Sequence, residues 1–177
     1  MRLGVVLGSA PGWEQEIANV LCTVDVLAVN AAGVVYLDDI AAWGSVHADQ
    51  LADWLVVRRF LYGNTPEHLF GESFLPGQER ETVEYYGPVK WRGSSALYVV
   101  QWALTFGGYD RLVLAGVHLT GSTRVRGDGL EPTDGSPYED YQQGWRAALS
   151  FLDGRVQSYG GWTRELLGAP EEKYFGG

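Results

Sequence analysis

Three short apolar runs, each closed by a residue suited to a turn, constrain this chain most. They are Leu3–Leu7 before Gly8, Val26–Val29 before Asn30, and Leu112–Ala115 before Gly116, the last led by Arg111. A run without polar alternation is how a strand buried on both faces reads, and such strands belong to parallel sheets with helices on both sides. Between the first two runs stands a helical pattern, Trp13, Ile17, Val20 and Leu21, close to a 3.6-residue period. Ser9 is placed to cap that helix, with Pro11 in its first turn and Glu14 and Glu16 near its positive end. Strand, glycine turn, helix and strand within about thirty residues make a βαβ unit.

The rest of the chain keeps alternating. Ala31 to Trp43 reads as a loop followed by a short strand around Asp39–Ala42, and Asp49 as the cap of a helix that turns Leu51, Trp54 and Leu55 inward. Tyr62 to Gln78 is dense in Gly, Pro and Asn and reads as an irregular excursion. Glu81–Tyr86 alternates polar and apolar, the pattern of a strand near an edge. Ala96–Phe106 is an almost wholly apolar helix, opened by Gly93-Ser94-Ser95 and ended by Gly107-Gly108. Thr120 to Pro137 has no periodicity, and a loop of that length in a compact domain is usually functional. A helix over Tyr138–Leu152, a short strand over Arg155–Ser158 and a helix over Trp162–Leu167 close the chain. With no repeat or linker, residues 1–177 are expected to form a single α/β domain of Rossmann-like build, with a mainly parallel sheet and helices on both faces.

In such a sheet, ligands bind beyond the carboxyl ends of the strands, near the switch in strand order. The loops after Leu7, Val29, Tyr86 and Ala115 are therefore the expected working surface. Gly8-Ser9-Ala10-Pro11-Gly12 is a glycine turn at a helix start, whose free amides suit phosphate; the alternative is a tight turn that binds nothing. It matches neither the GxGxxG fingerprint nor a Walker loop. Lys90-Trp91-Arg92-Gly93-Ser94-Ser95 combines two cations, two hydroxyls and a helix start, which makes a fuller anion cradle; the alternative is a Ser N-cap with two solvated basic residues. Asn30 either reads a base, ribose or phosphate, or caps Ala31-Ala32-Gly33. His47 and His118 each follow a strand, which could bring both to one cleft as candidate acid or base; the alternative, favoured by base rates, is a satisfied polar histidine at each, and His68 looks incidental.

The formal net charge of −9 argues against general nucleic-acid binding, which needs a basic footprint. Cys22 stands alone in an apolar pattern and reads as core packing. No pair of histidines has zinc spacing, so no metal site is expected. The loop carrying Arg124, Arg126, Asp128, Glu131 and Asp134 does not match a calcium loop; it reads as a solvated lid, compatible with a hydrated Mg²⁺ shared with a nucleotide. No segment reaches the ~20 apolar residues that span a bilayer, and the opening run is too short for a signal peptide. No membrane association and a cytoplasmic location, in a bacterial or phage-infected cell, are expected.

Taken together, Gly8-Ser9-Ala10-Pro11, Ala28-Val29-Asn30, Gly93-Ser94-Ser95-Ala96 and the run Phe106-Gly107-Gly108-Tyr109-Asp110 through His118 fall in the order of a known group. The chain resembles the Rossmann-like group of Campylobacter-type bacterial sialyltransferases and archaeal pterin diphosphokinase-like proteins. With Ser158 to Gly168 included, it also resembles small proteins of tailed phages and their hosts. The resemblance implies that Ser9 stands where the family has a donor-contacting Asn, that Asn30 matches a second such Asn, and that Ser94 and Ser95 match a Ser-Gly helix start beside the nucleotide. Ser9 departs from Asn, Ser95 from Gly and His118 from Asp, and Tyr138–Trp145 has no His where the sialyltransferases carry a catalytic one. The implied function is nucleotide or nucleotide-sugar binding with glycosyl or phosphoryl transfer, though not sialyl transfer. Its ligand is a small phosphorylated molecule held by Gly8, Ser9, Asn30, Lys90, Arg92, Gly93, Ser94 and Ser95. The alternative is a non-catalytic, phage-associated interaction protein that keeps the fold.

Overall fold

The computed structural model describes residues 1–20, 23–71, 84–85, 94–120, 123–126, 129–132 and 137–172. Cys22, Lys90, Arg92, Gly93, Asp128 and Asp134 lie outside them, as do the side chains of 123–132.

The apolar runs form strands as their composition requires: β1 (Leu3–Leu7), β2 (Asp25–Val29) and β6 (Arg111–Ala115). They pair parallel at the centre of a seven-stranded sheet, together with β3 (Ala42–Ser45), β4 (His68–Gly71), β5 (Glu84–Tyr85) and β9 (Val156–Ser158). The order is β5-β4-β3-β2-β1-β6-β9, and every pairing is parallel. The chain therefore steps outward from β1 to the edge at β5, then returns to the far side of β1 as β6. The switch in order falls between β1 and β6.

Side chains alternate across this sheet with a period of two. Val6, Leu27, Val29, Leu112 and Leu114 face one way, against α4 (Ser95–Thr105), α5 (Pro137–Leu152) and α6 (Gly161–Leu167). Val5, Leu7, Val26, Val113 and Ala115 face the other, against α1 (Trp13–Ala18), while Ala28 and Trp43 meet α3 (Ala48–Tyr62). A short α2 (Ala32–Val35) packs on α3. Both faces of the sheet are thus covered.

The structure moves several expected boundaries. The third strand lies at Ala42–Ser45 rather than Asp39–Ala42. The carbonyls of Gly33, Tyr36 and Asp38 turn instead to the buried guanidinium of Arg58, and the ladder starts only at the Ala41 amide, which donates to Val26. The Tyr62–Gln78 excursion contains β4, so it is not wholly irregular. Ser9 does not cap α1: the N-cap is Gly12 at φ 91, with no side-chain cap bond. The Ala10 amide is drawn instead to the Gly116 carbonyl at 3.0 Å, which delays the helix to Trp13. Thr120–Pro137, expected as loop, contains an antiparallel hairpin of β7 (Thr123–Arg126) and β8 (Gly129–Pro132). No helix among the described residues is long and apolar enough to cross a membrane.

Candidate functional site

The parallel sheet puts the loops after Leu7, Val29, Ser45 and Ala115 at one end, and they divide into two groups. The first lies beyond β2 and β3. Asn30 takes φ 51, a left-handed conformation that Asn tolerates better than most residues. Its backbone is pinned on three sides: its amide donates to Gly44, and its carbonyl accepts from the Trp43 indole at 2.7 Å and from the Gly33 amide. Its side-chain Oδ1 accepts from the Ser45 hydroxyl at 2.7 Å, and the Ser45 oxygen in turn accepts the His47 amide at 2.9 Å. This chain of donors assigns Asn30 Oδ1 inward, so Nδ2 is the donor end of the side chain. The side chain does not cap α2, whose N-cap is Ala31 without a side-chain bond. The choice between reading and capping is thereby resolved against the cap.

Ser94 and Ser95 stand beside the same strand end. Ser95 Oγ accepts the Val46 amide, and Ser94 Oγ accepts the Trp145 indole of α5, each at 3.3 Å. A hydroxyl already accepting from the protein keeps its own proton to donate. The first amides of α4 have no intrahelical partner either, and they lie at its positive end. The corner therefore offers hydroxyl, amide and carboxamide donors, the set that suits phosphate or sugar oxygens. His47 is exposed and begins α3 at this corner. Ser45 and Trp145 hold the polar groups of this corner, and sequence reasoning missed both.

The second group lies at the switch between β1 and β6. Here the Gly8 amide donates to Ala115 at 2.8 Å and the Ala10 amide to Gly116, so two amides of the expected phosphate loop are already taken. Ser9 is half-buried in that loop. Gly8 and Gly116 touch backbone to backbone: a Cβ on Gly8 would lie 2.2 Å from the Gly116 carbonyl oxygen. His118 is bonded through Nε2 to Glu16 at 2.6 Å, and the other Glu16 oxygen accepts the Gly116 amide at 2.7 Å. Glu16 was another residue without a sequence signal, since its partner is 102 positions away.

The structure does not bring the two histidines together. β2 and β1 separate the strands they follow, three spacings of about 4.8 Å, or about 14 Å. His68 opens β4 at the opposite, amino end of the sheet, tilted on Trp102 at 5.5 Å between ring centroids. Among the described residues, no group of three or more His, Cys, Asp or Glu is placed to hold a metal ion.

Much of the Phe106–Arg111 run serves the amino end as well. Tyr109 donates to Asp25, Arg2 pairs with Asp25 at 2.8 Å and lies over the Tyr109 ring, and Asp110 accepts the Arg2 amide. These contacts tie β1, β2 and β6 together far from the candidate site.

A solved structure shares this architecture: that of the sialyltransferase CstII from Campylobacter jejuni in complex with a substrate analogue, cytidine-5'-monophosphate. The TM-score is 0.62, over 97% of this chain and 86% of that chain. The chain is Rossmann-like in fold. Identity with that neighbour is 11%, so the likeness is one of fold. No protein-family model matches the chain, and no curated protein sequence does.

Proposed function

We propose that the protein binds a nucleotide or nucleotide sugar across the carboxyl ends of β2 and β3, and that group transfer, glycosyl or phosphoryl, is the chemistry of this site. The observation that carries the proposal is the pinned Asn30 carboxamide, held by Ser45 beside the hydroxyls of Ser94 and Ser95. A donor set fixed before the ligand arrives loses little entropy on binding, and it stabilises charge on a leaving phosphate without reorganising. The fold neighbour crystallised with cytidine-5'-monophosphate supports the ligand class. Lys90, Arg92 and Gly93 directly precede Ser94 in sequence, which supports a part for them as cations and free backbone at the head of α4. His47, exposed at this corner, is the base candidate within reach; His118 is engaged with Glu16 at the switch.

The affinity with archaeal pterin diphosphokinase-like proteins and small phage proteins rests on the sequence motifs. The negative charge supports a small ligand over a nucleic acid.

Calorimetric titration of a nucleotide panel that includes cytidine-5'-monophosphate, with and without Mg²⁺, tests the reading. Saturable binding is expected, and Asn30→Ala should weaken it at least about tenfold, or ~1.4 kcal/mol, with the circular dichroism unchanged. Absence of heat across the whole panel would contradict it.

One observation favours the second reading, a non-catalytic interaction protein. Val56, Val57 and Leu61 of α3 are exposed, and Phe60 is 88% exposed, an apolar patch of the kind that interfaces use. Substituting Lys90 and Arg92 separates the two: a nucleotide binder loses its ligand, whereas an interaction protein keeps its partner.

A further inference from the structure

At the switch between β1 and β6, where sheets of this kind take their ligands, a carboxylate from the chain itself fills the crevice. We infer that the Gly116 amide and the His118 ring form an oxyanion cradle whose resident occupant is Glu16, and that a free small carboxylate takes the cradle when Glu16 withdraws. This site is separate from the Asn30 corner and independent of nucleotide binding.

Three features support it. The two donors meet the carboxylate one on each oxygen, Gly116 N–H on Oε2 at 2.7 Å and His118 Nε2 on Oε1 at 2.6 Å. An ionised carboxylate only accepts, so both contacts are donations to an anion. Next, the walls carry no side chains where the carboxylate sits. A Cβ on Gly160 would lie 2.2 Å from Glu16 Oε1 and 2.6 Å from His118 Nε2, and one on Gly161 would lie 2.5 Å from His118 Cβ. Gly116 itself stands at φ 66, with its would-be Cβ 2.5 Å from the Gly8 carbonyl. Gly160 thus leaves room for the oxyanion, while Gly8, Gly116 and Gly161 let the backbones that carry its donors approach closely.

The third feature is that the cradle is built without Glu16. The Val117 carbonyl accepts from Thr163 Oγ1 at 2.5 Å, and the His118 carbonyl accepts the Trp162 amide at 2.9 Å. Thr163 is in turn bonded to Ser158 at 2.8 Å. The backbone that carries both donors is therefore held without the carboxylate. Its carrier, α1, is six residues long with none fully buried, so the side chain can retreat without dismantling a core. Glu16 and His118 are 15% and 20% exposed, which leaves a path for a small ion.

The test is chemical rescue with formate. Glu16→Ala should lower the melting temperature, and formate should restore part of it saturably, by about 2–4 °C, against chloride at equal ionic strength. The wild type should show the same preference for formate more weakly and at higher concentration, because Glu16 competes for the donors, and Glu16→Ala/His118→Ala should lose it. Equal responses of Glu16→Ala to formate and chloride would overturn the inference, as would rescue that survives loss of His118. Should Glu16→Ala not fold, Glu16→Asp retracts the carboxylate by one methylene and gives the same readout: a preference for formate supports the cradle, and its absence overturns it.

Discussion

Arg58 shows how a single side chain shapes the candidate site from behind it. Its guanidinium is wholly buried and donates to the carbonyls of Gly33, Tyr36 and Asp38, each at 2.7 Å, while Nε is buried without a partner. Burial lowers its pKa from the ordinary value, with nearby Tyr62 and Asp39 acting the other way, and a guanidinium remains charged throughout. These bonds fold residues 33–38 onto α3, just after Asn30. Arg58→Met would remove the donor from the buried Gly33 carbonyl and from the part-buried carbonyls of Tyr36 and Asp38, and the expected loss is about 3 kcal/mol in urea unfolding. A loss under about 1 kcal/mol would show that water replaces the guanidinium. Asn30, Ser94 and Ser95 were legible in the sequence because each stands at the junction of two periodic segments. Ser45, Glu16 and Trp145 were not, because their partners are far away in sequence and a lone polar residue carries no local pattern. Lys90, Arg92 and Gly93, expected beside the two serines, lie outside the described residues.

At the scale of elements, the strands that declared themselves are those buried on both faces, where a continuous apolar run leaves no other reading. β3 hid because its sequence is Ala-Trp-Gly-Ser. Gly44 is there because Phe70 and Val99 fill the space a Cβ would occupy, the nearest Phe70 carbon being only 2.4 Å away. Such a strand is shaped by its neighbours and has no pattern of its own. β1, β2 and β6 are joined at their amino ends through Arg2, Asp25 and Tyr109. Burial, helped by the bond to Asp25, raises the Tyr109 phenol above its ordinary value of 10.0. The unfolded phenol ionises first, so the folded state binds more protons above pH 10, and stability falls as pH rises beyond that point. Urea midpoints taken on either side of pH 10 should fall more steeply for the wild type than for Tyr109→Phe. Equal slopes would mean that the Tyr109 phenol contributes nothing to the linkage.

At the scale of the whole molecule, the seven-stranded sheet has one switch in strand order, and the chain treats the switch and the neighbouring corner beyond β2 and β3 differently. The switch crevice is closed by a glycine contact and filled by Glu16. The corner beyond β2 and β3 keeps its donors on Asn30, Ser94 and Ser95. The parallel, doubly covered sheet was legible from the alternation of apolar runs and helical periods. Which of its strand-end amides are already bonded was not, because that depends on contacts such as Ala10 to Gly116 that form only when distant loops meet. A crystal structure of the protein grown with cytidine-5'-monophosphate tests the central claim most directly. The account predicts the nucleotide at the β2–β3 corner, with phosphate or ribose oxygens within hydrogen-bond distance of Asn30 Nδ2 and a Ser94 or Ser95 hydroxyl. A nucleotide lodged instead on the Gly8–Gly12 loop, with Asn30 untouched, would contradict it.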